Sequence, residues 1–304
     1  MKPKLSNIHT LSILIPTYNH VCLELVKNLQ AQAFLLPQLT YEILVADDGS
    51  SNQDVINQNK EINQIPHCQY IIRKENEGRA VIRNFLAQQA QYEWLLFIDA
   101  DMVIRNSLYL ANYINNAHEK VVYGGYQVKE PCLLESPNYN LRYAFEKANT
   151  LNAHCQERQA HPYANFHTCN FLVHRSIMLQ YPLDERFHHY GYEDVLWGKT
   201  LQQNGIGIQH IDNPVSFEDF ESNVSFLHKT EEGLRTLYCF QKELEGYSKI
   251  IQYAHYLKKF HLCNIIQKAY PWLCLPIKAR LTGNKPNIFL FNIYKLIYFI
   301  HLKD

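Results

Sequence analysis

LLFIDADMV (Leu95–Val103) decides how the rest of the chain is read. Its apolar run stops at two carboxylates, Asp99 and Asp101, one residue apart. A hydrophobic strand that delivers Asp-x-Asp to its exposed end can hold a divalent ion against a phosphate. Mg2+ and Mn2+ prefer hard oxygen ligands and leave positions open for a diphosphate. The tripeptide also has an ordinary reading, since acidic residues after strands cap helices and solvate turns. Its surroundings separate the two.

Two periods alternate along the first 125 residues. LSILIPT (Leu11–Thr17) reads as a buried strand stopped by a proline. Cys22–Phe34 follows with Cys22, Leu25, Val26, Leu29 and Ala33 at helical spacing. YEILVA (Tyr41–Ala46) is a second strand, and Asp54–Ile62 a helix. HCQYIIR (His67–Arg73) is a third strand, and Arg79–Ala90 a helix with Ala80, Ile82, Phe85 and Leu86 on its apolar side. Glu93–Ile98 is the fourth strand, Ser107–Asn116 a helix, and Val121–Tyr123 a fifth strand. Short apolar strands alternating with helices predict an α/β fold whose parallel sheet is covered on both faces.

The polar clusters each follow a strand: Thr17-Tyr18-Asn19, Asp47-Asp48-Gly49-Ser50, Asn76-Glu77-Gly78-Arg79 and Asp99-Ala100-Asp101. In an open parallel sheet, the loops at the carboxyl ends of the strands line one crevice, where ligands bind. Helix starts there add amide donors for phosphate. Any one such loop is an ordinary turn; several in order point to a nucleotide site. IPTYNH lacks the glycines of a dinucleotide fingerprint, and the chain has no P-loop. DADMV also fits the nucleophile motif of haloacid dehalogenase phosphatases, but that motif opens its fold, whereas here three strand–helix units come first.

SILIPTYN, ILVADDGSSNQ, NEGRAVIRN and FIDAD together resemble, in order and spacing, the signatures of the family 2 glycosyltransferases. The resemblance runs from about Leu11 to Ser225. It implies inverting enzymes of the GT-A fold, with a mixed, mostly parallel central sheet flanked by helices. It also implies that Pro16, Thr17, Tyr18 and Asp48 hold the nucleoside, Asp48 accepting from the base edge. Asn76, Gly78, Arg79 and Arg83 would lie near the diphosphate or shape its loop. Asp99 would contact ribose or a metal-bound water, or share the metal with Asp101, the ligand for Mn2+ or Mg2+. The donor expected is a nucleotide-sugar, UDP-linked by family frequency. Arg83 has a plainer reading as a helix-surface arginine paired with a carboxylate, and Asn84 one in helix packing.

In the second half, YANFHTCNFLVHRSIM (Tyr163–Met178) reads as a polar entrance followed by a strand over Asn170–His174. PLDERFHHYGYEDVLWGKTLQQNG (Pro182–Gly205) reads as a loop, then a helix from about Glu193, with Val195, Leu196 and Leu201 facing the core and Gly205 ending it. Inversion at an anomeric carbon needs one carboxylate to take the acceptor's proton as its oxygen attacks opposite the leaving diphosphate. The resemblance gives that part to Asp194, with Glu193 orienting acceptor or sugar hydroxyls. An acidic pair at a helix start also suits the helix dipole.

The chain departs from the resembling pattern further on. Where relatives carry a metal-binding histidine after the next strand, Ser216 and Phe217 stand; His210 lies upstream, Glu218 and Asp219 just beyond. Either a neighbouring carboxylate substitutes, or the metal is held by Asp101, diphosphate and water. His154, His161, His167 and His174 recur at spacings near seven, but one strand and its loops cannot aim all four at one ion, so they are expected solvated or facing the acceptor. Arg142 and Arg158, between Pro137 and Pro162, read either as partners of an anionic acceptor or, the plainer expectation, as surface arginines.

Lys+Arg and Asp+Glu balance at 29 each, which argues against a nucleic-acid binder. The opening residues carry no signal-length apolar run, so a cytoplasmic protein with reduced thiols is expected. The 8 cysteines contain no CxxC pair. Residues 251–304 change in character: eight Lys and Arg, from Lys258 to Lys303, stand against one acid, Asp304, among interleaved aromatics and aliphatics. The last apolar run is too short, and interrupted by Lys295, to span a bilayer. The tail reads either as a peripheral contact with the inner face of the cytoplasmic membrane or as helices packed on the protein itself or a partner. The division expected is a catalytic domain over 1–245, with halves 1–125 and 126–245, and a helical extension over 246–304. The acceptor expected is a glycan or lipid-linked glycan. A non-catalytic nucleotide-sugar-binding scaffold is the alternative.

Overall fold

The structure, a computed structural model, describes residues 8–128, 140–149, 154–218 and 220–302. In chain order the elements are β1 (Thr10–Thr17), α1 (Leu23–Phe34), β2 (Thr40–Asp47), α2 (Gln53–Asn59), β3 (Cys68–Ile72), α3 (Arg79–Gln89), β4 (Trp94–Ile98), β5 (Met102–Val103), α4 (Tyr109–Asn116), β6 (Val121–Tyr123) and β7 (Tyr126–Val128). Then come α5 (Asn140–Asn149), α6 (Cys155–Gln159), β8 (Asn170–His174), α7 (Arg175–Gln180), α8 (Glu193–Gln203), β9 (Ile208–His210), β10 (Val215–Phe217), α9 (Asn223–Cys239), α10 (Lys249–Lys259), α11 (Cys263–Thr282) and α12 (Ile288–His301).

Contacts divide the chain into two units. The first comprises 1–129, 152–188 and 193–218. Its seven-stranded sheet runs β3-β2-β1-β4-β8-β6-β9. β8 is antiparallel to β4 and β6, and every other pairing is parallel. The five strands expected from the first 125 residues are all present. Their near-continuous apolar sequences are what a sheet covered on both faces requires: all five residues of β4 are buried. The Asp54–Ile62 helix is split, with α2 giving way at Lys60 to a tight 3-10 turn. A second, three-stranded sheet runs β5-β10-β7.

Register puts the strand-end residues side by side. Thr17 pairs with Asp47, so Tyr18 leaves the sheet beside Asp48. Ile98 pairs with Asn170, and the Asp99 N–H donates to the Cys169 carbonyl at 3.0 Å. Asn170 anchors this corner from beneath: Tyr109 and Tyr113 hydroxyls donate to its Oδ1 at 2.5 and 2.8 Å, and its Nδ2 donates to the carbonyls of Gly125 and Asn213 at 2.7 and 3.0 Å. A buried amide with four partners has little freedom to turn.

Helix α8 corrects one expectation. Its buried apolar positions are Trp197 and Leu201, while Val195 and Leu196 are only partly covered. Trp197 packs with its ring tilted against Phe166 and Phe171 and donates its indole N–H to the Tyr181 carbonyl at 2.7 Å. Its large ring area outweighs the two smaller aliphatics in fixing which face turns inward. Arg158 is also buried rather than at the surface, donating to the Ile211 carbonyl at 2.7 Å with its cation over the Tyr123 ring.

The second unit comprises 130–151, 189–192 and 219–304, so its helices are α5 and α9 to α12. Phe145, Phe226 and Phe291 pack mutually at 5.5–5.8 Å. The residues from 246 onward thus share a core with α5 and α9. Glu231 accepts from the Tyr294 hydroxyl at 2.6 Å and pairs with Lys278 at 2.8 Å. Arg142 is not a surface residue: it pairs with Glu146 and Glu221. Lys295 lies over the Phe145 and Phe291 rings, and burial pushes its ammonium down to about 8. No helix among the described residues is long and apolar enough to cross a membrane.

Candidate active site

The polar loops of the first unit are knit together by their own side chains. Asn19 Oδ1 accepts from the N–H groups of Ser51 and Asn52, both at 3.0 Å, joining the loops after β1 and β2. Asp48 joins the next pair: its Oδ1 accepts from Arg73 at 3.0 Å, and its Oδ2 from the Gly78 N–H at 2.9 Å. Burial pushes the Asp48 carboxyl up, against the Gly78 and Arg73 bonds that favour its charge. The carboxylate that the resemblance assigns to the nucleoside braces the 76–78 loop. Gly78 has a φ of 99°, and a Cβ there would stand 2.9 Å from the His188 carbonyl oxygen, so no other residue fits. Tyr18 and Asn76 are exposed, each on a loop held by these neighbours.

Arg83, 2% exposed, is ion-paired with Asp99 and donates to the Arg79 carbonyl at 3.1 Å. It is a buried partner of the Asp-x-Asp motif, not a helix-surface arginine. Asn84 exchanges hydrogen bonds with the Leu183 backbone at 2.9 and 3.0 Å, tying α3 to the loop that leads towards α8.

Helix α8 brings Glu193 and Asp194 to the same end. Gly198 lets it in: a Cβ there would stand 2.7 Å from the Tyr163 carbonyl oxygen. With α8 so close to the 163–169 segment, His167 Nδ1 lies 3.0 Å from Asp194 Oδ2, while Oδ1 accepts from the Val195 N–H at 2.8 Å. Burial acts to raise Asp194, but the bond and charge of His167, the Val195 N–H and Arg79 hold it below the ordinary aspartate range. Glu193 goes the other way, raised by burial and by Asp194 although Arg79 lies 3.9 Å away. The buried Cys169 thiol is raised first by burial and then by the charges of Asp99, Asp101 and Asp194. Of the sequence-predicted residues, Arg79, Arg83, Asp99, Asp101, Glu193 and Asp194 are thus near neighbours. Pro16 and Thr17 end β1 rather than standing in a loop, and Tyr18, Asp48, Asn76 and Gly78 lie on the loops that follow β1, β2 and β3. His167, which sequence set among four similar histidines, was missed.

β10 returns beside β5, pairing Phe217 with Met102 and Ser216 with Val103, so the position expected to hold a histidine does lie next to the motif. Glu218 cannot substitute freely, because both its oxygens are engaged by Arg105; Asp219 lies outside the described residues. Among the described residues, no three His, Cys, Asp or Glu side chains are grouped to hold a metal. This donor set fits an ion that takes one or two carboxylates and completes its shell with diphosphate oxygens and water, as Mg2+ and Mn2+ commonly do.

A family profile described as Glycosyl transferase family 2 matches residues 12–181. The chain belongs to this family. Membership makes it a glycosyltransferase and removes the phosphatase reading. No curated protein matches the sequence. Among solved structures, the family member is similar to the mannosyltransferase PcManGT from Pyrobaculum calidifontis, determined with GDP-Man and Mn2+. The TM-score is 0.57 at 12% identity, over 95% of this chain and 84% of that one. It is also similar to S. aureus TarS 1–349 with UDP-GlcNAc, with a TM-score of 0.51 at 16% identity, over 96% and 90% of the two chains. At such identities the likeness is one of fold, and the fold is that of the GT-A glycosyltransferases.

Proposed function

We propose that this glycosyltransferase moves a hexosyl or N-acetylhexosaminyl unit, with inversion, from a nucleoside diphosphate donor to a hydroxyl of a glycan or lipid-linked glycan. UDP is the first donor nucleotide to test. The observation that carries the reading is the chain of contacts from Asp99 through Arg83 and Arg79 to Glu193, the neighbour of Asp194, in a family 2 chain. The similar folds solved with GDP-Man and Mn2+ and with UDP-GlcNAc support a nucleotide-sugar donor.

In this reading Asp194, charged at neutral pH, takes the acceptor hydroxyl's proton as that oxygen attacks the anomeric carbon. The bond to the leaving diphosphate breaks on the opposite face, in one displacement. His167 and the Val195 N–H hold the carboxylate's orientation. Glu193 orients sugar or acceptor hydroxyls. Arg79 and Arg83 put positive charge beside the diphosphate, and Pro16, Thr17 and Tyr18, at the end of β1, hold the nucleoside with Asp48. Asp101, with Asp99, would hold Mn2+ or Mg2+, which when bound would supply charge to the departing diphosphate.

The test is a thermal-shift panel of UDP, GDP, CDP, TDP and their sugars, with and without Mn2+, followed by turnover with the donor that binds. A ligand at roughly 100 times its Kd adds about 2.7 kcal/mol of stability, enough to raise Tm by a few degrees. A Mn2+-dependent shift with one nucleotide, lost in Asp101→Ala, is the expected result. A flat panel with folded protein overturns the donor reading. Binding without turnover, unaffected by Asp194→Asn, would leave a nucleotide-sugar-binding scaffold.

A further inference from the structure

The outer faces of the last helices carry one repeated pattern. On α10, Tyr253, Tyr256 and its capping neighbour Phe260 are exposed at i, i+3 and i+7. On α11, Ile265, Trp272 and Leu275 are exposed, and at 3.6 residues per turn they fall with Lys268 within about 80° of one another. Trp272 is 83% exposed and Leu275 73%, so these side chains protrude rather than line a groove. The charge between them has one sign. Lys258, Lys259, Lys268 and Arg280 are exposed, and no ion pair joins them among the described residues. No Asp or Glu occurs from Gly246 to Leu302. The two inward lysines are accounted for separately: Lys278 pairs with Glu231, and Lys295 sits over aromatic rings.

Protruding Trp, Tyr and Phe beside unpaired Lys and Arg match the boundary between lipid headgroups and acyl chains. Phosphate-bearing headgroups there complement the charge. A second copy of this chain would set lysine against lysine. The 20-residue α11, interrupted by Pro271 and Pro276, has no spanning stretch, so it would lie on a bilayer rather than cross it.

We propose that α10 and α11 form a docking surface for an anionic lipid bilayer, with Tyr256, Trp272 and Leu275 entering the interface and the surrounding cations meeting lipid phosphates. This surface is independent of which sugar donor the site takes.

Trp272 makes the test direct, because the other tryptophans, Trp94 and Trp197, are buried. The full-length protein is mixed with phosphatidylcholine vesicles with and without phosphatidylglycerol, and binding is read by flotation and by tryptophan emission. The expected result is binding to the anionic vesicles with a blue shift, quenched by brominated acyl chains and weakened by salt. Lys259→Gln and Lys268→Gln should each weaken binding by roughly 5-fold. A Trp272→Ser, Leu275→Ser variant, checked for an unchanged melting curve, should lose most of it. Absence of binding to anionic vesicles by the folded protein overturns the proposal, as does binding without any change in Trp272 emission. A dimer that dissociates in the Trp272→Ser variant overturns it too, because the face would then be a protein interface.

Discussion

Asp194 stays charged because two donors reach it, one on each oxygen: His167 Nδ1 and the Val195 N–H. If it is the base, Asp194→Asn should lower kcat by roughly 100- to 10,000-fold while leaving nucleotide binding intact, measured by turnover and thermal shift on one sample. The pH dependence has a definite sign. A carboxylate held below its ordinary value of 3.8 is stabilised in its ionised form, and that contribution is lost only as pH falls through the depressed value. His167→Ala removes part of that hold, so the acid limb of kcat/KM should move upward; an unmoved limb would separate His167 from the base. Sequence puts Asp99 and Asp101 just past a strand and Glu193 and Asp194 at a helix start, and the structure has them there. Sequence could not single out His167, since four histidines at near-equal spacing look alike until Gly198 brings α8 against the 163–169 segment.

At the scale of elements, β9 carries a titration of its own. His210 is buried on β9 with its Nε2 2.9 Å from the Pro162 carbonyl and its ring edge-on to Tyr123, and burial pushes it down to about 4 from 6.5. An unfolded chain therefore binds the extra proton between those values, so stability should rise with pH across that window. The slope from this one group is at most about 1.4 kcal/mol per pH unit. His210→Gln should flatten it in urea titrations run from acid to neutral pH. Helix α8 depends on its aromatic anchor: Trp197→Ala should cost about 3–5 kcal/mol, seen as a fall in Tm. The strands were readable in sequence because buried parallel strands are short, apolar and β-branched. Aliphatic spacing alone does not locate the inward face of α8, because the area of one indole, Trp197, outweighs it. Arg158 looked like a surface residue for a similar reason, since nothing local announces the distant carbonyls and ring that receive it.

For the whole molecule, the second unit gathers helices from separate parts of the chain, so its integrity depends on the tail. Removing residues 246–304 takes away Phe291, which packs against Phe145 and Phe226. Each large side chain so uncovered forfeits roughly 1.5–3 kcal/mol, and the truncated protein should show increased dye binding to exposed apolar surface. The tail's composition was legible, but its shared core with α5 and α9 was not, because pairing between distant helices leaves no local period.

The reversed strand β8 also has a consequence for how the protein is made. It is the neighbour that covers one side of β4, yet it is synthesised about 70 residues later. At ordinary ribosomal speed that interval is roughly 4–14 s. During it, the edge of WLLFI has no partner, and such an edge is a template for pairing with other chains. Nascent chains stalled before Asn170 should therefore recruit holdase chaperones, and chains stalled well beyond His174 should be released.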